Sequence, residues 1–104
     1  MVLLALEIPS KEIELFCQRW HVAELAIFGS ALRQDFGAES DVDILIAFRK
    51  TTRHGLFDLV RMQKELESIF GRKVDLVEKT AVERSENYIR RKEILNNTYV
   101  IFPA

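Results

Sequence analysis

The sequence predicts an α+β (α/β) domain: a sheet of three to four strands flanked by helices. Three observations predict it. Apolar runs of strand length recur, at Leu25-Ala26-Ile27-Phe28, Ile44-Leu45-Ile46-Ala47-Phe48 and Val74-Asp75-Leu76-Val77. Between the last two, Leu59, Met62, Leu66 and Ile69 recur at the spacing of an amphipathic helix. Glycines stand where elements stop, Gly29 after the first apolar run and Gly71 after the helix.

Taken in order, Pro9-Ser10 ahead of Lys11-Glu12-Ile13-Glu14-Leu15-Phe16-Cys17 reads as a capped helix ending near Trp20-His21. A strand over Val22 to Phe28 follows and ends at Gly29, where Ser30-Ala31-Leu32-Arg33 begins a short helix. Phe36 to Ser40 is a loop, and Asp41 to Phe48 is the second strand. The chain breaks at Thr51 to Gly55, then runs as a helix from Leu56 to the stop at Gly71. Lys73 to Val77 is the third strand. Thr80 with Glu83 matches a capping box and predicts a long polar helix reaching roughly Leu95. Asn96-Asn97 turns the chain into Tyr99-Val100-Ile101-Phe102, a short strand or a docking tail.

At 104 residues the chain is expected to be a single domain over 1–104, since no stretch is rich enough in Gly, Pro or Ser to divide it. A hydrophobic share of 48% with a charged share of 30% is that of a soluble globular protein. The net charge of -1 gives no strong nucleic-acid signal and no pull toward acidic membranes. The basic clusters at Arg49-Lys50 with Arg53, at Arg72-Lys73 and at Arg90-Arg91-Lys92 therefore read as solvated surface, with polyanion binding by one of them as the alternative. One cysteine, Cys17, excludes an internal disulfide framework and fits a reducing cytoplasm, where it reads as a small core residue. The apolar start Met1 to Leu6 lacks a basic lead and is cut short by Glu7 and Pro9, so no signal peptide is expected. No apolar run approaches the ~20 residues needed to cross a bilayer, so no membrane role is expected either.

The chemistry concentrates around one spacing: ten residues separate Gly29-Ser30 from Asp41-Val42-Asp43. A strand that ends in Gly and enters a helix presents backbone N–H groups where anions bind. Ser30 could donate to a phosphate oxygen, and Arg33, one turn on, could add positive charge. Gly-Ser alone also reads as a plain strand-to-helix turn capped by Ser30. Asp41 and Asp43 alternate onto one side of a strand, roughly 6–7 Å apart at their Cα atoms. Two carboxylates held so close repel each other, and Mg²⁺, which takes one or two carboxylates together with phosphate oxygens, relieves that cost. A polar strand start is the alternative. Asp75, opposite in direction to Val74 and Leu76, could join the pair as a metal ligand and take a proton from an incoming hydroxyl. By itself it also reads as an exposed strand residue.

Two other meanings of Asp-x-Asp are set aside. Haloacid-dehalogenase phosphatases carry theirs just after an apolar strand, whereas here the apolar run follows. Glycosyltransferases with such a motif are far longer chains. His21 and His54 have no matching ligand pattern and read as surface or helix-end residues. Phe28 and Phe36 could flank a base, although a core role accounts for both.

Taken jointly, Gly29-Ser30, ten residues, Asp41-x-Asp43 and an isolated Asp75 in an apolar strand resemble the DNA polymerase β-like nucleotidyltransferases. The nearest likeness is to the minimal nucleotidyltransferase (MNT) antitoxins of HEPN/MNT toxin–antitoxin pairs. That resemblance implies a small nucleotidyltransferase fold with a mixed sheet. It implies that Gly29, Ser30 and Arg33 hold a nucleoside triphosphate, while Asp41, Asp43 and Asp75 bind two Mg²⁺ ions. The implied reaction transfers AMP from ATP to a hydroxyl, a tyrosine's, on a HEPN-type RNase toxin. The chain departs from the family pattern at Gln34, where a Gly usually follows the basic residue. Larger relatives carry a second domain for the acceptor, so in a chain this short a partner is expected to present it. Val100, Ile101, Phe102 and Trp20 are candidates for an apolar docking patch, or for core. Two alternatives stay open: an antitoxin that acts by binding alone, and nucleotidyl transfer to a small molecule.

Overall fold

Side chains alternate between the two faces of the sheet, both faces carry apolar residues, and helices pack on both. The computed structural model describes residues 7–29, 41–50 and 52–103. Its elements are α1 (Ser10–Trp20), β1 (Val22–Phe28), β2 (Val42–Phe48), α2 (Leu56–Phe70), β3 (Val74–Glu78), α3 (Lys79–Glu83), α4 (Tyr88–Asn96) and β4 (Thr98–Phe102). The strand order is β3-β2-β1-β4. β1 runs antiparallel to β2 and to β4, while β2 and β3 are parallel, so the sheet is mixed. The parallel pair is possible because α2 supplies the crossover that two parallel strands require. The short helix expected from Ser30 and the loop from Phe36 to Ser40 lie outside the described residues.

On one face Leu25, Ile27, Val42, Ile44, Ile46 and Val74 pack with Ile13, Phe16 and Cys17 of α1 and with Met62 and Leu66 of α2. On the other, Ala26, Phe28 and Leu45 pack with Val82 of α3, and Ile94 and Leu95 of α4 lie against them. The residues that stay apolar on both faces are those of the two central strands, as burial on both sides demands.

α2 begins at Gly55, whose N–H donates to Asp58 Oδ2 at 3.4 Å, and ends at Gly71, which adopts a φ of 67°. α1 ends at His21, which takes the same left-handed conformation with a φ of 56°. The start of α1 differs from expectation: Pro9 occupies the cap position and makes no side-chain bond, and Ser10 is already helical.

The long polar helix expected from Thr80 is two helices. Thr80 lies inside α3 and its hydroxyl meets Glu78 Oε2 at 3.3 Å, so it does not cap. A stronger local signal lies downstream. Asn87 Oδ1 accepts from the N–H of Arg90 at 3.1 Å and restarts the chain as α4.

His54 stands at a helix end, one residue before the Gly55 cap of α2, but its side chain is mostly buried. Its Nε2 lies 2.8 Å from the Trp20 carbonyl oxygen, and its ring packs against Trp20 and Phe48. It ties the β2–α2 connection to the end of α1 and is no surface residue. Trp20 in turn donates from Nε1 to Glu65 Oε2 at 2.7 Å, and Glu65 also pairs with Arg19. Of the docking-patch candidates, Trp20 and Phe102 pack against the core and Ile101 belongs to it, which leaves Val100 exposed. The C-terminal apolar run is a strand paired to β1, not a free tail.

Cys17 is fully buried, and burial pushes its thiol from 9.0 up to about 12. Thiolate is the reactive form, so iodoacetamide at pH 8 is expected to leave native Cys17 unmodified and to label it quickly in urea. Mass spectrometry reads both. The raised value also sets a sign: the unfolded chain releases this proton first, so stability contributed by the thiol is complete below 9.0 and falls as pH rises toward about 12.

Candidate active site

Strand register brings the carboxylates together. Asp43 of β2 is paired with Phe28 of β1 on one side and with Asp75 of β3 on the other. Register partners on adjacent strands point to the same side, about 5 Å apart at the Cα atoms. Asp43 is half-buried and Asp75 is exposed. Their side of the sheet is the one that carries Phe28 and Leu45 and that α4 covers.

Gly29 closes the arrangement. It follows the last residue of β1 with a φ of 72°, a conformation costly for any residue with a Cβ. A Cβ built there would lie 2.3 Å from Asp43 Oδ2 and 3.2 Å from its carboxyl carbon. Only glycine lets the backbone come this close to the carboxylate.

These groups open into a cleft of about 530 Å³. That volume is in the range of small-molecule sites. The sheet contributes Phe28, Asp43 and Asp75 to its lining, with Gly29 just past β1, and α4 with its C-cap contributes Arg90, Glu93, Ile94 and Asn97. The α4 residues are spaced as one helical face, and Ile94 anchors that face on the small apolar cluster. Among the described residues the charge in the lining is uneven: three carboxylates face one guanidinium.

Of the residues singled out from sequence, the fold places Gly29, Asp43 and Asp75 in one cleft. Asp41 stands exposed just before β2, outside that lining. Ser30, Arg33 and Phe36 lie outside the described residues. Phe28 lines the cleft while remaining mostly buried. Among the described residues, no group of three His, Cys, Asp or Glu side chains is gathered closely enough to hold a metal. Of the three expected carboxylates, the cleft lining holds Asp43 and Asp75. That pair, beside a backbone cradle only glycine can form, still fits Mg²⁺, which completes its shell with waters and substrate phosphates.

Arg90, Glu93 and Asn97 were not singled out from the sequence. Their signal is a polar stripe at helical spacing beside Ile94, visible only once α4 is known to start at Tyr88 and to cover the carboxylate face.

Comparison with known proteins gives the family and the fold. The family model described as a nucleotidyltransferase domain matches residues 10–98. A Methanocaldococcus jannaschii protein that carries the name of a protein adenylyltransferase is 32% identical over 76 residues, 73% of this chain and 76% of its own length. The protein adenylyltransferase MntA of Thermococcus cleftensis is 35% identical over 65 residues, 62% of this chain and 64% of its own. Among solved structures, one described as a minimal nucleotidyltransferase superposes with a TM-score of 0.64 at 26% identity, covering 86% of this chain and 85% of that one. A toxin–antitoxin structure with AMP-PNP shares the fold, with a TM-score of 0.69 at 16% identity over 93% of this chain and 75% of that one.

Proposed function

We propose, for a chain that belongs to the nucleotidyltransferase domain family and is a nucleotidyltransferase enzyme, that it transfers AMP from ATP to a hydroxyl of a partner protein. The observation that carries this reading is the Asp43–Asp75 pair set against Gly29 in a cleft large enough for a nucleotide. The relatives named as protein adenylyltransferases support a protein acceptor. The sequence resemblance supports a tyrosine of a HEPN-type toxin as that acceptor, with this chain as the antitoxin. We place the pair in the cytoplasm on the strength of the free, buried Cys17. Among the described residues no helix is long and apolar enough to cross a membrane.

In this reading the chain is one domain and the triphosphate enters over Gly29, whose missing side chain lets the backbone approach it. Ser30 and Arg33, next in sequence, hold the phosphates. Asp43 and Asp75, joined by Asp41 from the head of β2, hold Mg²⁺. Bound there, the metal supplies charge neutralisation for the attacking and leaving oxygens. Asp75, the more exposed of the pair, faces the acceptor and takes its hydroxyl proton. The acceptor oxygen bonds to the α-phosphorus, the bond to the β-phosphate oxygen breaks, and pyrophosphate leaves.

Intact mass spectrometry of the proteins that co-purify with this chain, after incubation with Mg²⁺ and ATP, tests the proposal. A partner heavier by one or more AMP units is the expected result. A partner held in a stable complex but unmodified would point instead to an antitoxin that acts by binding alone.

A further inference from the structure

The cleft poses an electrostatic problem for the substrate assigned to it. ATP brings about four negative charges to a lining that already carries Asp43, Asp75 and Glu93. Arg90 is the one cation in that lining among the described residues. Its guanidinium makes no ion pair or hydrogen bond with them; only its backbone N–H is engaged, by Asn87. The adjacent Arg91 is used differently: its Nη1 donates to the Ser85 carbonyl at 3.3 Å and its guanidinium lies over the Tyr88 ring. Arg90 thus stands exposed in the first turn of a capped helix that Ile94 and Leu95 seat on the sheet, its guanidinium bonded to none of the described residues.

We propose that Arg90 is a nucleotide-binding residue, the cation on α4 that takes the β- and γ-phosphates of ATP across the cleft from Asp43 and Asp75. A guanidinium fork can donate two parallel hydrogen bonds to phosphate oxygens, which fixes orientation as well as charge. The carboxylate wall and the Arg90 wall then act on different parts of one substrate. The α-phosphate is left beside the carboxylates, where transfer occurs, and the departing pyrophosphate lies toward α4. This inference rests on the nucleotidyltransferase reading of the cleft and names a residue that reading does not supply.

Binding of ATP and of AMP in the presence of Mg²⁺, measured by calorimetry on the wild-type chain and three variants, tests it. Arg90→Gln is expected to weaken ATP about tenfold or more while changing AMP less than about twofold, because the lost partner is a charge-assisted one on the outer phosphates. Arg90→Lys is expected to fall between the wild type and Arg90→Gln. Lys92→Gln, which removes a cation from the same helix outside the cleft, is expected to change neither nucleotide. Arg90→Gln that binds ATP as the wild type does overturns the role of Arg90 alone. Equal weakening of ATP and AMP overturns it too, and indicates that Arg90 shapes α4. A wild-type chain that binds no ATP overturns the nucleotide site and this assignment together.

Discussion

Asp43→Asn is expected to lower AMP transfer by three powers of ten or more while the protein stays folded, since charge stabilisation at a metal site carries most of such a reaction. The substitution keeps size and shape, and position 43 is only half-buried, so the strand can hold it. What it removes is the central carboxylate of the cleft. Asp43 is in register with Phe28 on one side and with Asp75 on the other, and it lies against Gly29. No other described acid in the lining occupies the sheet between those three. Initial rates of label transfer, read beside a thermal melt, separate loss of chemistry from loss of fold. An Asp43→Asn protein with full activity would show that the carboxylate pair is not the catalytic centre.

Gly29→Ala is expected to be the next most damaging change, and through geometry alone. The added Cβ meets Asp43 Oδ2 at 2.3 Å, so either the carboxylate or the turn must move. A displacement near 1 Å in a positioned catalytic group costs on the order of a hundredfold in rate. The φ of 72° adds strain for alanine of about 1 to 2 kcal/mol, which a urea titration would register as a modest loss of stability. The signature is a large kinetic loss beside a small thermodynamic one. Ala at position 29 with wild-type transfer would mean that the turn does not hold the carboxylate in its working position.

Much of the fold was legible because its elements announce themselves locally. The apolar runs of β1, β2 and β3 and the Leu59, Met62, Leu66, Ile69 stripe of α2 follow single-element periodicities, and Gly71 marks a stop by its own conformational freedom. The same holds for Gly29 and Asp43, since a glycine at a strand end and alternation along a strand are local facts. What depends on contacts between distant elements was not legible. The register that sets Asp75 beside Asp43 is decided by how β3 docks on β2. His54 looks like a loop residue until Trp20 and Phe48 surround it. The break between α3 and α4 turns on competition between two capping signals, Thr80 and the stronger Asn87, and the second won. Arg90 could not be told apart within its basic triplet, because only the packing of α4 over the carboxylate face distinguishes it from Arg91 and Lys92.

The central claim is that the α-phosphate of ATP, and not the γ-phosphate, passes to a partner protein. Two parallel incubations of the co-purified complex with Mg²⁺ decide it, one with ATP radiolabelled at the α-phosphorus and one with ATP labelled at the γ-phosphorus. Label from the α position alone, fixed covalently to the partner and absent with Asp43→Asn, is the result expected. Label from the γ position, or none from either with the complex intact, would contradict nucleotidyl transfer to protein as the function of this chain.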